Sequence, residues 1–253
     1  MTQHFLQDRT EREVLWMQRR AFLSAAGTWV ACGGFAAAWA QQRTNVVDLV
    51  GDVLVNGQRL RPQDPVQSGD TVQTGPGSIV TFVIGNSAFH VRQNSRVAVE
   101  RGASLNAVSV LRLLTGAVGS VWGRGASRQI ITPTLTAGIR GTGVYTEVQP
   151  ANDNRTYFCT CWGAVDLSAG VQQIASRSDY HQSFWIDPQP ASDGRQVRPA
   201  RALNHTDDEI EMLAAIVNQP TSWQRLGRKG VRDGRGFLQE RPESDHPAAP
   251  VTR

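Results

Sequence analysis

Residues 70–100 read "DTVQTGPGSIVTFVIGNSAFHVRQNSRVAVE", and this stretch decides the fold class. Gly75-Pro76-Gly77 and Gly85-Asn86 are turn signals. Between them, Ser78 to Ile84 is rich in β-branched and aromatic residues, the types that suit a pleated, half-buried surface. The residues on either side repeat the pattern. "VVDLVGDVLV" (46–55) breaks at Asn56-Gly57, "AVSVLRLLTGAVGSVWG" (107–123) gives a strand pair, and "RQIITPTLTAGIRGTGVYTEVQ" (128–149) gives two more. "RTYFCTCWGAVDLS" (155–168) gives the last. Many short strands with no long helical stretch predict an all-β sandwich, barrel or solenoid-like stack from residue 46 to about 168. Within it, Gly51-Asp52-Val53, Gly116-Ala117-Val118 and Gly163-Ala164-Val165 form a loose repeat. Each glycine follows one apolar stretch and begins another, as at a bulge or a close backbone approach.

The order of these segments resembles the FecR domain family. The sharpest likeness is Ile139-Arg140-Gly141-Thr142, preceded by Thr132-Pro133 and followed by an apolar strand. Gly69-Asp70 followed by Thr74-Gly75 also fits. The resemblance implies a FecR-type sandwich or solenoid-like stack outside the cytoplasm, without known catalysis. The best-known members relay signals from outer-membrane receptors to sigma factors. They carry a cytoplasmic anti-sigma segment ahead of a membrane helix, whereas only a short leader precedes the apolar run here, so the expectation is a stand-alone exported form. Arg140, Gly141 and Thr142 are read as structural: glycine permits a turn, and its neighbours can satisfy loop carbonyls and amides.

Residues 1–40 have the parts of a bacterial export signal. A polar leader ends in Arg19-Arg20, an uncharged run follows from Ala21 to Ala40, and Ala38-Trp39-Ala40 predicts cleavage before Gln41. Arg19 and Arg20, followed by Ala-Phe-Leu, resemble the twin-arginine signal. The expected location is the periplasm, with no membrane span after cleavage. The twin-arginine route carries folded proteins, often with a cofactor already loaded; that too comes from the resemblance.

The formal charge is +4, yet residues 41–220 carry equal numbers of acids and bases. With no basic stripe and no interleaved aromatics, a nucleic-acid partner is not expected. An envelope protein or a cell-wall component is.

After residue 168 the texture changes, and residues 169–220 read as a C-terminal extension. "AGVQQIASRSDYHQSFWI" suggests one or two strands, and "DPQPASDGRQVRPARAL" a Pro-rich connection. "NHTDDEIEMLAAIVN" predicts one helix over 206–218. Thr206 and Glu209 form a capping box, and Ile210, Leu213, Ala214 and Val217 make one apolar face that packs on the β-domain. Residues 221–253 have too few apolar residues for a core and read as a flexible tail.

Once the signal is removed, Cys159 and Cys161 are the two remaining cysteines. At i and i+2 on a strand they face the same side, with Cα atoms roughly 6.6 Å apart. That is near the limit for a disulfide, about 6.8 Å, so such a bond would be strained. The spacing also suits two thiolates converging on one metal ion. His90 reads as a strand residue facing solvent and His246 lies in the tail. His181 and His205 follow the cysteine strand, and a helix N-terminus beside His205 helps keep its ring neutral and able to ligate. Two Cys and two His would make a tetrahedral site of the kind zinc favours, with iron or haem as other occupants. Structural, metal-binding and redox roles for the cysteines therefore stand side by side. No Ser-His-Asp cluster, paired-carboxylate motif or phosphate loop stands out. The leading expectation is a non-enzymatic binding or signalling module of FecR type. The alternative is a metal- or haem-binding redox protein using Cys159, Cys161, His181 and His205.

Overall fold

The computed structural model describes residues 44–104, 107–125 and 127–227. The expected export signal, with Arg19, Arg20, Ala38 and Ala40, lies outside them, as do His246 and the other residues from 228 onward.

Fifteen strands build two layers among the described residues. They are β1 (Val46–Val50), β2 (Val53–Val55), β3 (Gln58–Arg59), β4 (Thr71–Thr74), β5 (Ile79–Ile84), β6 (Ser87–Val91), β7 (Arg96–Arg101), β8 (Val108–Trp122), β9 (Arg128–Ile131), β10 (Thr136–Ile139), β11 (Gly143–Gln149), β12 (Arg155–Ala169), β13 (Gln172–Ser178), β14 (Gln182–Ile186) and β15 (Val197–Ala200). One layer runs β1-β5-β6-β8-β11-β12-β14-β15. The other runs β3-β2-β4-β7-β8-β9-β10-β12-β13. Every pairing is antiparallel except β8 with β9. The fold is thus a sandwich rather than a stack of coils.

The long strands β8 and β12 belong to both layers. Residues 108–115 of β8 pair within one layer and 116–122 within the other. Residues 155–162 and 163–169 of β12 divide in the same way. The chain turns the corner at Gly116 (φ +77°) and Gly163 (φ +97°), and between β1 and β2 at Gly51 (φ +77°). The loose glycine repeat therefore marks three crossings between layers. Side chains have no room there: a Cβ at Gly163 would lie 2.8 Å from Thr142, and at Gly116 it would overlap Ser95. Two corners use other residues, Asn94 between β6 and β7 and His181 between β13 and β14.

The main core fills the space between the layers, with Phe82, Phe89, Leu111, Leu113, Trp122 and Phe158 among its buried side chains. A second apolar cluster lies on the outer face of the β6–β8–β11–β12 layer, under helix α1 (Asp207–Ile216) and the short helix α2 (Ser222–Leu226). Thr206 caps α1 and Glu209 completes the capping box, as the sequence predicts. Ile210, Leu213 and Ala214 are fully buried against β6 and β8, and Gly119 leaves space for Leu213.

Four expectations change. A boundary at residue 168 would cut β12, and β13–β15 extend the same two layers, so residues 169–200 are part of the sandwich. The Pro-rich connection contains β15, where Pro199 is tolerated because the strand lies at a layer edge. Residues 221–227 are not part of the flexible tail expected from 221, since α2 is folded and Trp223 is fully buried. His90 does not face solvent. It is 1% exposed, with Nδ1 at 2.8 Å from Thr81 and Nε2 at 3.6 Å from Glu209 of α1.

Candidate metal centre

The four residues expected to ligate come together. Cys159 and Cys161 lie on β12, facing outward into the second apolar cluster. The register of β11 against β12 shifts between Gly143 and Val144, which pair with Trp162 and Thr160, so Cys161 sits in a β-bulge. Bulges bend a strand and re-aim its side chains. The cysteines carry free thiols, with Sγ atoms 3.9 Å apart, so the strained disulfide expected as one possibility is not formed. Nδ1 of His181 lies 3.4 Å from Sγ of Cys159 and 3.0 Å from Nε2 of His205. One ligand atom from each of the four residues falls within 4.8 Å of all the others, and all four residues are buried.

Each histidine is held from outside the cluster. His181 sits at a layer corner with φ +43°, and its N–H donates to the Cys161 carbonyl. A left-handed residue other than glycine costs on the order of 1–2 kcal/mol, and such strain gathers at functional sites. Its Nε2 lies 2.9 Å from Oδ1 of Asp207, the first residue of α1, which also accepts from the Tyr180 hydroxyl. Trp223 of α2 stacks on the ring. His205 directs Nδ1 to the Leu203 carbonyl at 2.6 Å and stacks on Tyr145 at 4.6 Å. The Leu203 N–H donates to the Tyr157 hydroxyl, and buried Arg92 donates to the Asn204 carbonyl and to Tyr145. These contacts tie the segment before α1 to Arg92, just after β6, and to β11 and β12.

Charge follows from this packing. Burial raises the Cys159 thiol, but the hydrogen bond from Cys161 and the positive charges of His205 and His181 outweigh it, leaving Cys159 well below its usual value. Burial and the neighbouring Cys159 push Cys161 well above. His181 is pushed up to about 9: burial opposes, while the Cys159 charge and the Asp207 hydrogen bond prevail. Without a metal, these shifts favour a thiolate on Cys159 beside a protonated His181.

Arg140, Gly141 and Thr142 lie nearby. Thr142 is fully buried and donates to the Trp162 carbonyl. Gly141 has φ +63°, and the Arg140 guanidinium reaches Asp166 at 3.3 Å. Arg124, Arg140, Gly141, Trp162 and Arg225 line an open groove beside α2. Sequence reading missed Asp207, Tyr145, Trp162 and Trp223 around the cluster. The signal for Trp223 was there: Thr221 and Gln224 form a second capping box.

These features define an all-β, two-layer sandwich capped by C-terminal helices. The model of the family described as FecR protein matches residues 70–166, from just before β4 into β12. Two crystal structures of a candidate anti-sigma factor from Parabacteroides distasonis ATCC 8503 are similar at 8% identity and a TM-score of 0.43. One alignment covers 58% of this chain and 64% of that one, the other 53% and 60%. The match thus spans less than two thirds of those chains. No curated protein matches.

Proposed function

We propose that the chain is an exported, stand-alone FecR-type domain acting as a non-enzymatic binding or signalling module at the bacterial cell envelope. The observation that carries this reading is the FecR match over residues 70–166, which spans β4 to β12 of the sandwich. The twin-arginine-like leader with Arg19 and Arg20 and the cleavage site at Ala38 and Ala40 supply the route out of the cytoplasm. The partner is an envelope protein or a cell-wall component.

The test joins fractionation to crosslinking in living cells. The full chain is expressed with a photo-crosslinking residue at Arg124 or Arg140 in the groove, or at exposed Val171 on the β12–β13 turn. The expected result is a periplasmic protein that gives one reproducible envelope crosslink from one face. Retention in the cytoplasm, or no specific crosslink from either face, overturns the reading.

A further inference from the structure

We infer that Cys159, Cys161, His181 and His205 form a closed tetrahedral zinc site that staples the C-terminal helices to the sandwich. Three independent features of the geometry converge on it, and none depends on the envelope role.

The first is the set of spacings. Zinc binds thiolate sulfur at about 2.3 Å and imidazole nitrogen at about 2.0–2.1 Å. A regular tetrahedron on those bonds has edges of about 3.8 Å between sulfurs, about 3.6 Å from sulfur to nitrogen and about 3.3 Å between nitrogens. Three of the cluster's six edges measure 3.9 Å (Cys159–Cys161), 3.4 Å (Cys159–His181) and 3.0 Å (His181–His205), and the other three lie within 4.8 Å. With all four ligand atoms inside 4.8 Å, the space suits one ion and is too small for a porphyrin.

The second is the orientation of the two rings. Nε2 of His181 faces the Asp207 carboxylate, and Nδ1 of His205 faces the Leu203 carbonyl. Acceptors at both positions place the N–H of each neutral ring on its outer nitrogen. The inner nitrogens then point lone pairs at each other across 3.0 Å. Only positive charge between or beside them relieves this, either a proton paired with the Cys159 thiolate or a cation. A carboxylate or carbonyl behind a ligating histidine is the usual support of a zinc site.

The third is chemical balance. Two thiolates neutralise a divalent ion, which suits a centre with no exposed ligand. Two sulfurs and two imidazoles in a tetrahedron select zinc over octahedral oxygen-seeking ions. Four protein ligands leave no open position, so the centre is structural rather than catalytic.

The ligands come from β12, from the corner between β13 and β14, and from the residue before the α1 cap. One ion therefore joins the sandwich to the segment leading into α1, and Trp223 of α2 lies on one of its ligands. The folding of residues 203–226 is thereby coupled to metal binding.

The experiment uses the full chain, purified without a metal-affinity step. Elemental analysis is expected to find one zinc per chain. Exchange with cobalt(II) is expected to give tetrahedral ligand-field bands with thiolate charge transfer. Cys159→Ser combined with Cys161→Ser abolishes both, whereas His246→Ala, outside the cluster, keeps both. Should the double variant not fold, the cobalt spectrum of the unaltered chain decides alone. The proposal is overturned by a reduced, folded chain that takes up neither zinc nor cobalt, by stoichiometric iron or copper in place of zinc, or by a cobalt spectrum without thiolate bands.

Discussion

Nε2 of His205 lies 3.0 Å from Nδ1 of His181, although 24 residues separate them. Two packing arrangements bring the rings together. His181 is fixed by the turn from one layer to the other, and His205 by the docking of α1 through Arg92, Tyr145 and Tyr157. The tail end of the fold and its centre are thus linked through four side chains.

Asp207→Asn removes the charge behind His181 and keeps its shape. Support of this kind is worth about 10–100-fold in metal affinity. The variant is expected to lose zinc to a chromophoric chelator at a correspondingly lower chelator concentration, with its circular dichroism unchanged. An affinity equal to that of the parent chain would remove Asp207 from the account.

Acid is expected to release the metal. Thiolate and neutral imidazole are the ligating forms, so protons compete with zinc and the affinity falls as pH falls. Without metal His181 is pushed up to about 9, so protons compete with zinc for it below about pH 9, and the affinity is expected to fall from there down to about pH 5. The measurement is zinc appearing in a chelator assay, together with proton uptake by the protein. Zinc retention independent of pH across that range would contradict the assigned ligands.

Gly116→Ala is expected to cost more than Gly57→Ala. Both glycines have positive φ, but a Cβ at Gly116 would overlap Ser95, while nothing lies within 4 Å of the position at Gly57. The backbone cost of the left-handed region, roughly 1–2 kcal/mol, applies to both. Overpacking adds roughly 1–3 kcal/mol at Gly116 alone. Urea denaturation of the two variants measures the gap, and equal losses would show that the corner is not a steric constraint.

Thr206→Ala deletes the side chain that accepts from the Glu209 N–H. Loss of such a cap costs typically about 1 kcal/mol. Amide exchange is expected to rise first in α1, since the cap acts on that helix and the sandwich core lies elsewhere. Exchange rising uniformly through β8 and β12 would mean that α1 does not open on its own.

Much of the architecture could be read from residue types. Turn glycines and β-branched runs locate the strands, and Thr206 with Glu209 starts the helix in the right place. The i, i+2 spacing puts Cys159 and Cys161 on one face. What stayed hidden depends on layer crossing. Nothing local in "VLRLLTGAVGSVWG" says that one strand serves two sheets, because the change happens at a single glycine torsion. His90 alternates like a solvent-facing strand residue, and becomes buried only because α1 covers that face. Asp207 reads as an ordinary first-turn acid, since its bond to His181 spans 26 residues. α2 was hidden by the polar residues that follow it, although Thr221 and Gln224 announced its start.

The most direct measurement is X-ray absorption at the zinc edge on the purified, unaltered chain. The account predicts a first shell of two sulfurs at about 2.3 Å and two nitrogens at about 2.0–2.1 Å, with the outer-shell scattering of two imidazole rings. A shell of oxygen and nitrogen alone, or a chain that carries no zinc to measure, would contradict it.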